Sequence, residues 1–99
     1  MPGGFQNQEK INSNFKNWFG VLGTNNIGTG AKYYFNENYD KTISLLSTTN
    51  LTQHPYAALW LGLAYLGQED HINARVNFQK AINGGAEVPQ EIIDYLNSN

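Results

Sequence analysis

An all-α fold is predicted: an array of antiparallel helix pairs closed by a C-terminal capping helix. Three observations predict it. Residues 56–82, YAALWLGLAYLGQEDHINARVNFQKAI, carry two apolar runs, Leu61, Gly62 and Tyr65, then Ala74, Phe78 and Ala81, either side of a polar turn at 68–70. Spacings of three and four put each set on one helix face. Helices joined by so short a turn lie antiparallel and face each other, so the two stripes form one contact. Gly62 lets the backbones approach, and Ala74 and Ala81 leave room for Tyr65 and Phe78. The second observation is an older-looking copy of this unit 32 positions earlier: Tyr33 aligns with Tyr65, Gly30 with Gly62, Ile27 with Leu59, Tyr39 with His71, Thr42 with Ala74 and Leu46 with Phe78. The third is the terminal PQEIIDYLNS, in which Val88, Ile92 and Leu96 share a face, with Ile93 near it.

Taken in order, residues 1–6 read as a tail. Ile11, Phe15, Trp18 and Leu22 recur at four, three and four, with Phe19 beside them, which predicts a helix over about 8–22. Asn7 suits its cap, and Gly20 and Gly23 weaken its end. The stripe reads as an ordinary core-facing surface, or more sharply as a self-ligand lying in the groove of its own or a neighbouring chain. The first pair spans about 24–54, with helices near 26–36 and 39–47; Gly28 and Gly30 cost its first helix roughly 1 kcal/mol each relative to Ala. The second pair spans about 55–84. Pro55 suits its first helical position, and Gly84-Gly85 suits the stop after Ile82. Pro89 opens the last helix, about 89–97, with Gln90, Glu91 and Asp94 pointing away from its apolar face and Glu91 near the N-terminal dipole.

A chain of 99 residues is one domain with a modest core. Six basic against eight acidic residues give a net charge of −2, which argues against a nucleic-acid partner, whose binding wants a basic stripe. No Cys is present, which excludes disulfide frameworks, thiolate metal sites and Cys nucleophiles. No apolar run approaches the ~20 residues that span a bilayer. MPGGFQNQ lacks a basic region followed by an apolar run, so no signal peptide is expected and the expected compartment is the cytoplasm.

Leu61, Gly62, Tyr65, Ala74, Phe78 and Ala81 stand at the offsets of the tetratricopeptide repeat (TPR), and the chain resembles that family over about two repeats. Ala58 occupies a position where the family often has Trp, with Trp60 close by. The family period is about 34 residues, so the connection through residues 47–54 is about two residues short. The resemblance implies an α-solenoid fragment whose terminal helix covers the open end of the stack. It also implies a concave surface lined by the first helix of each repeat, here Ile27, Ala31 and Tyr34, then Leu59, Leu63 and Leu66. Family members that clamp peptide carboxylates use Lys, Asn and Arg there; this chain has none at those positions, so a carboxylate clamp is not expected. An apolar groove left wet forgoes roughly 1.5–3 kcal/mol per Leu. A cover is expected from the N-terminal helix, a second copy or an amphipathic partner helix, unless these residues simply pack inside the two-repeat core.

Catalytic and cofactor chemistry find little support. In GVLGTNNIGTGAK, Gly23 and Gly28 have phosphate-loop spacing, but Thr29 stands where Lys is required and no Ser or Thr follows Lys32. His54 reads as a loop or cap residue and His71 as a packed ring, with no second ligand at metal spacing on the same helix. Glu69-Asp70 reads as a solvated turn, no Ser has a nucleophile context, and Asn50-Leu51-Thr52 is a formal glycosylation triplet that matters only in a secreted eukaryotic protein. No metal and no cofactor are expected. Ile72 and Val76, one turn apart opposite Ala74 and Phe78, form a candidate outer seam for oligomerisation or N-terminal docking; their counterparts Asp40 and Ser44 are polar. The leading expectation is a non-enzymatic interaction module presenting an apolar groove to a protein or peptide segment. The runner-up is a structural oligomerisation or capping unit whose groove is filled by its own N-terminal helix or a second copy.

Overall fold

The computed structural model describes residues 26–51 and 54–98. Among them the chain forms five helices and no strand: α1 (Asn26–Phe35), α2 (Tyr39–Leu46), α3 (Pro55–Gly67), α4 (His71–Asn83) and α5 (Gln90–Ser98). The expected tail at 1–6, the expected helix at 8–22 with its Asn7 cap, and the side chain of Ile27 lie outside the described residues.

Each pair closes on a glycine. A Cβ on Gly62 would sit 2.5 Å from the Phe78 ring, and one on Gly30 would sit 2.6 Å from Leu46. The two contacts are repeat equivalents, so α1 tolerates its glycines because one of them is where α2 seats its largest buried aliphatic. Thr42, which aligns with Ala74, adds a polar link absent from the second pair: its buried hydroxyl donates to the Gly30 carbonyl at 2.9 Å.

The turns repeat as well. Glu37 and Glu69 both adopt φ 60°. The Glu37 N–H donates to the Tyr34 carbonyl and the Asn38 N–H to that of Tyr33, each at 2.9 Å; Glu69 to Leu66 and Asp70 to Tyr65 reproduce the pattern at the same 2.9 Å. This crossed pair of bonds around a left-handed residue is the Schellman ending, which satisfies carbonyls that the helix leaves open. Gly85, at φ 93°, ends α4 in the same way, with its N–H on Ile82 and that of Ala86 on Ala81. α4 thus runs to Asn83, one residue past the expected stop.

Pro55 is the first residue of α3 as expected; His54 caps that helix by position only, its side chain making no capping bond. Asp70 is more than a solvated turn residue: its carboxylate accepts from the Asn73 N–H at 3.2 Å and from the Asn73 amide at 2.8 Å, so it caps α4. Those bonds, the side-chain one foremost, hold the Asp70 carboxyl below its ordinary value.

α3 is the centre of the molecule. Nine of its thirteen residues are buried, Ala57 to Ala64 without a break and then Leu66. A helix apolar on every side has to be surrounded. α4 closes one side through Phe78. On another, Trp60 meets α1 with ring centroids 5.8 Å from Tyr34 and 5.5 Å from Phe35. At its C-terminal end, the Tyr39 ring of α2 lies against Gly67, and the Gln68 amide donates to the Asp40 carboxylate.

Candidate interaction face

Leu59, Leu63 and Leu66 of α3 and Ala31 and Tyr34 of α1 all belong to one buried core cluster. None is exposed beyond 1%. The resemblance implies an accessible concave surface at these positions; in the structure the surface is closed. The physical reason is the composition of α3: LWLGLAYL offers no polar side for water to occupy, and five or six wet apolar side chains on so small a domain would cancel much of a ~5–15 kcal/mol stability.

Direction around α3 locates this face. Successive residues turn by about 100°. Gly62 points to α4 and Trp60 to α1; Leu59 and Leu63 fall in the sector between those two directions. The face carries no charge and no unsatisfied carboxylate or amide, so what it can do chemically is pack against another apolar surface.

Ile72 and Val76 are a different surface. They are 78% and 46% exposed, on the side of α4 away from Ala74 and Phe78, which are fully buried. The structure therefore places the two candidate surfaces apart, one closed and apolar, one open and only two residues wide.

The end of the domain is held by a cluster only partly anticipated. His71 does pack, but its partner, Tyr95, is not among the apolar positions read from the last helix. Nδ1 of His71 and the Tyr95 hydroxyl share a hydrogen bond at 2.6 Å. The Arg75 guanidinium lies 4.6 Å from the Tyr95 ring centre and donates to the Leu96 carbonyl at 3.1 Å, while Phe78 meets the same ring edge-on at 5.9 Å. Tyr95 and Ile92 are buried; Val88 and Leu96 are half-buried at the edge of the core. Burial pushes the Tyr95 phenol up, with Arg75 acting in the opposite sense. Burial, and then Glu37, likewise raise the Tyr39 phenol. The signal for Tyr95 was its spacing of three from Ile92 together with an Arg and a His one turn apart on α4.

Among the described residues, no group of three or more His, Asp or Glu is arranged to hold a metal ion, and no helix is long and apolar enough to cross a membrane. A shallow surface cavity of about 420 Å³ is lined by Leu51, Lys80, Asn83 and Gly84, at the C-terminal end of α4. Comparison with models of known families, with curated proteins and with solved structures returned no match.

Proposed function

We propose that this chain is a non-enzymatic, tetratricopeptide-like interaction module whose α1–α3 face holds an apolar or amphipathic helical segment of a protein. The observation that carries the reading is the burial of Leu59 and Leu63 on a helix with no polar side. Such a face functions by exchange of apolar cover, with α2 and α4 fixing α1 and α3 so that little ordering is lost on binding. The repeat-equivalent glycine contacts and turns support a helical-repeat ancestry. The same proposal has a protein or peptide partner, no cofactor and a cytoplasmic setting.

Titrating the intact chain with a labelled amphipathic helical peptide tests it. Binding is expected, weakened at least tenfold by Leu63→Gln with helical circular dichroism retained. A peptide bound equally well by Leu63→Gln overturns the reading.

A second reading has its own observation. The exposure of Ile72 beside Val76 favours a structural unit that self-associates through α4, with the α1–α3 face filled. It predicts a dimer that Ile72→Glu dissociates.

A further inference from the structure

We propose that the side of α4 beneath α5 is a second docking surface, with α5 as its tethered occupant and an acidic amphipathic helix of a partner protein as the ligand that displaces it. The inference concerns a different face from α1–α3 and stands without that reading.

Four observations lead to it. First, α5 is held by side chains. α3 and α4 lie against each other along their length, whereas the backbone of α5 approaches no helix in that way. Its grip is Ile92 together with Tyr95, whose ring meets Phe78 and Arg75 and whose hydroxyl bonds His71. Second, the α4 side of this grip recognises what any suitable helix can bring. Arg75 donates to the Leu96 carbonyl, one of those a helix leaves open in its last turn, and a guanidinium satisfies such a carbonyl and the negative end of the dipole whatever the sequence. The Phe78 edge and the His71 nitrogen add a slot for a phenol three positions after an aliphatic residue. Tyr39, the repeat equivalent of His71, likewise lies against the helix that follows its own pair, at Gly67 of α3. Third, the charges are of opposite sign. Residues 71–83 contain Arg75 and Lys80 and no acid, whereas residues 87–98 contain Glu87, Glu91 and Asp94 and no base. Such complementarity draws an acidic helix to this face and turns a basic one away. Fourth, the connection has a hinge. It is fastened as far as Glu87: the Ala86 N–H donates to the Ala81 carbonyl at 2.9 Å, and the Glu87 N–H donates to the Tyr56 hydroxyl at 3.1 Å. Val88 and Pro89 follow, and Pro89 has no N–H to give, so α5 swings away about 88–89 while α4 and its ending stay in place. Its departure uncovers Phe78, Arg75 and His71 together. Tethering gives α5 an effective concentration on the order of mM, so a free helix replaces it only by fitting better or by being in excess.

The probe is a fluorescent synthetic peptide with the sequence of residues 87–98. It is titrated into the intact chain and into the intact chain carrying Ile92→Ser with Tyr95→Ser, which releases α5. Binding to the double variant is expected to be at least tenfold tighter than to the unaltered chain. Arg75→Gln in that background is expected to weaken it at least fivefold, and Leu63→Gln, with helical circular dichroism retained, to leave it unchanged. A peptide carrying Glu87→Lys, Glu91→Lys and Asp94→Lys is expected to bind at least tenfold more weakly. Absence of uptake by a double variant that keeps its helicity overturns the proposal, as does uptake indifferent to Arg75→Gln or to the charge reversal. Uptake lost with Leu63→Gln and kept with Arg75→Gln places the peptide on the α1–α3 face, which overturns this proposal and leaves the proposed function standing. A dimer of the unaltered chain that Tyr95→Ser dissociates overturns it by making a second copy's α5 the occupant. Should the double variant lose helicity, the unaltered chain decides: excess peptide is expected to speed amide exchange in α5 of the isotope-labelled chain at least fivefold with α3 unaffected, and unchanged exchange in α5 overturns the proposal.

Discussion

Gly62 has room for a hydrogen and nothing larger. Any Cβ there lands inside the van der Waals shell of a Phe78 ring that is itself fully buried and has nowhere to retreat. Gly62→Ala gains up to about 1 kcal/mol of helix propensity and meets about 1–3 kcal/mol of overpacking. Urea denaturation is expected to show a net loss, and Phe78→Leu added to Gly62→Ala is expected to recover part of it, because residues in contact couple. Gly30→Ala should cost less, since the opposing group is the flexible end of Leu46. Phe78→Ala alone should cost about 3–5 kcal/mol; a near-neutral result would remove Phe78 from the centre of the pair. The left-handed glutamates point the other way. A side chain at φ 60° costs about 1–2 kcal/mol relative to a right-handed backbone, and Glu69 is such a residue. Glu69→Gly should therefore raise the thermal midpoint, with Glu37→Gly doing the same at the equivalent turn. A fall at both positions would mean that the glutamate side chains hold the turns by contacts stronger than the backbone strain.

Elements differ in how they are held. α3 is enclosed by neighbours, whereas α5 is fastened to α4 chiefly through Tyr95, which meets Phe78, Arg75 and His71, and through the Arg75 bond to the Leu96 carbonyl. Hydrogen exchange should find α5 opening before α3. Tyr95→Phe keeps the ring against Phe78 and Arg75 but removes the bond to His71, and should cost about 1 kcal/mol. It also tests a pH dependence. The folded-state value of Tyr95 is raised above the ordinary 10.0. Its contribution is therefore complete below pH 10 and is lost as pH rises through the folded value. Alkaline loss of helicity should be smaller in Tyr95→Phe than in the unaltered chain; equal losses would assign the transition to Tyr39 or to general charge repulsion. This cluster also shows where the sequence was legible. α3 and α4 were readable because glycine, aromatic and alanine positions each have a steric job at a fixed helical offset. α1 was readable despite its glycines because Gly30 repeats the job of Gly62. The last helix was read through Val88, Ile92 and Leu96 at spacings of four. Tyr95 lies on the flank of that stripe, three positions from Ile92, and its polar partners, 20 and 24 positions away in Arg75 and His71, join Phe78 in holding it inward. Periodicity carries no information about such cross-helix polar partners. The groove positions were legible as apolar but not as closed, since a pattern of leucines states that a surface wants cover without stating whether it has one.

At the scale of the whole molecule, the described helices bury α3 on every side, and stability turns on how its apolar faces are covered. Among the described residues, the two candidate surfaces differ in capacity. Ile72 and Val76 form a patch of two side chains, far short of the ~1,000 Å² that a specific interface buries; exposed apolar residues in such numbers are ordinary. Ile72→Glu is accordingly expected to change stability by no more than about 0.5 kcal/mol. The α1–α3 face engages at least five residues that are fully buried in one copy, so their burial contributes several times more than the outer patch. The chain should therefore sediment as a monomer at high concentration, and Ile72→Glu should leave that unchanged. Removal of residues 1–23 should lower the thermal midpoint and drive concentration-dependent association, because Leu59 and Leu63 then meet water or each other. A stable dimer of the unaltered chain that Ile72→Glu dissociates would transfer the stabilising role from the inner face to α4. Truncation without thermal loss would show that α1 to α5 close the Leu59–Leu63 sector unaided.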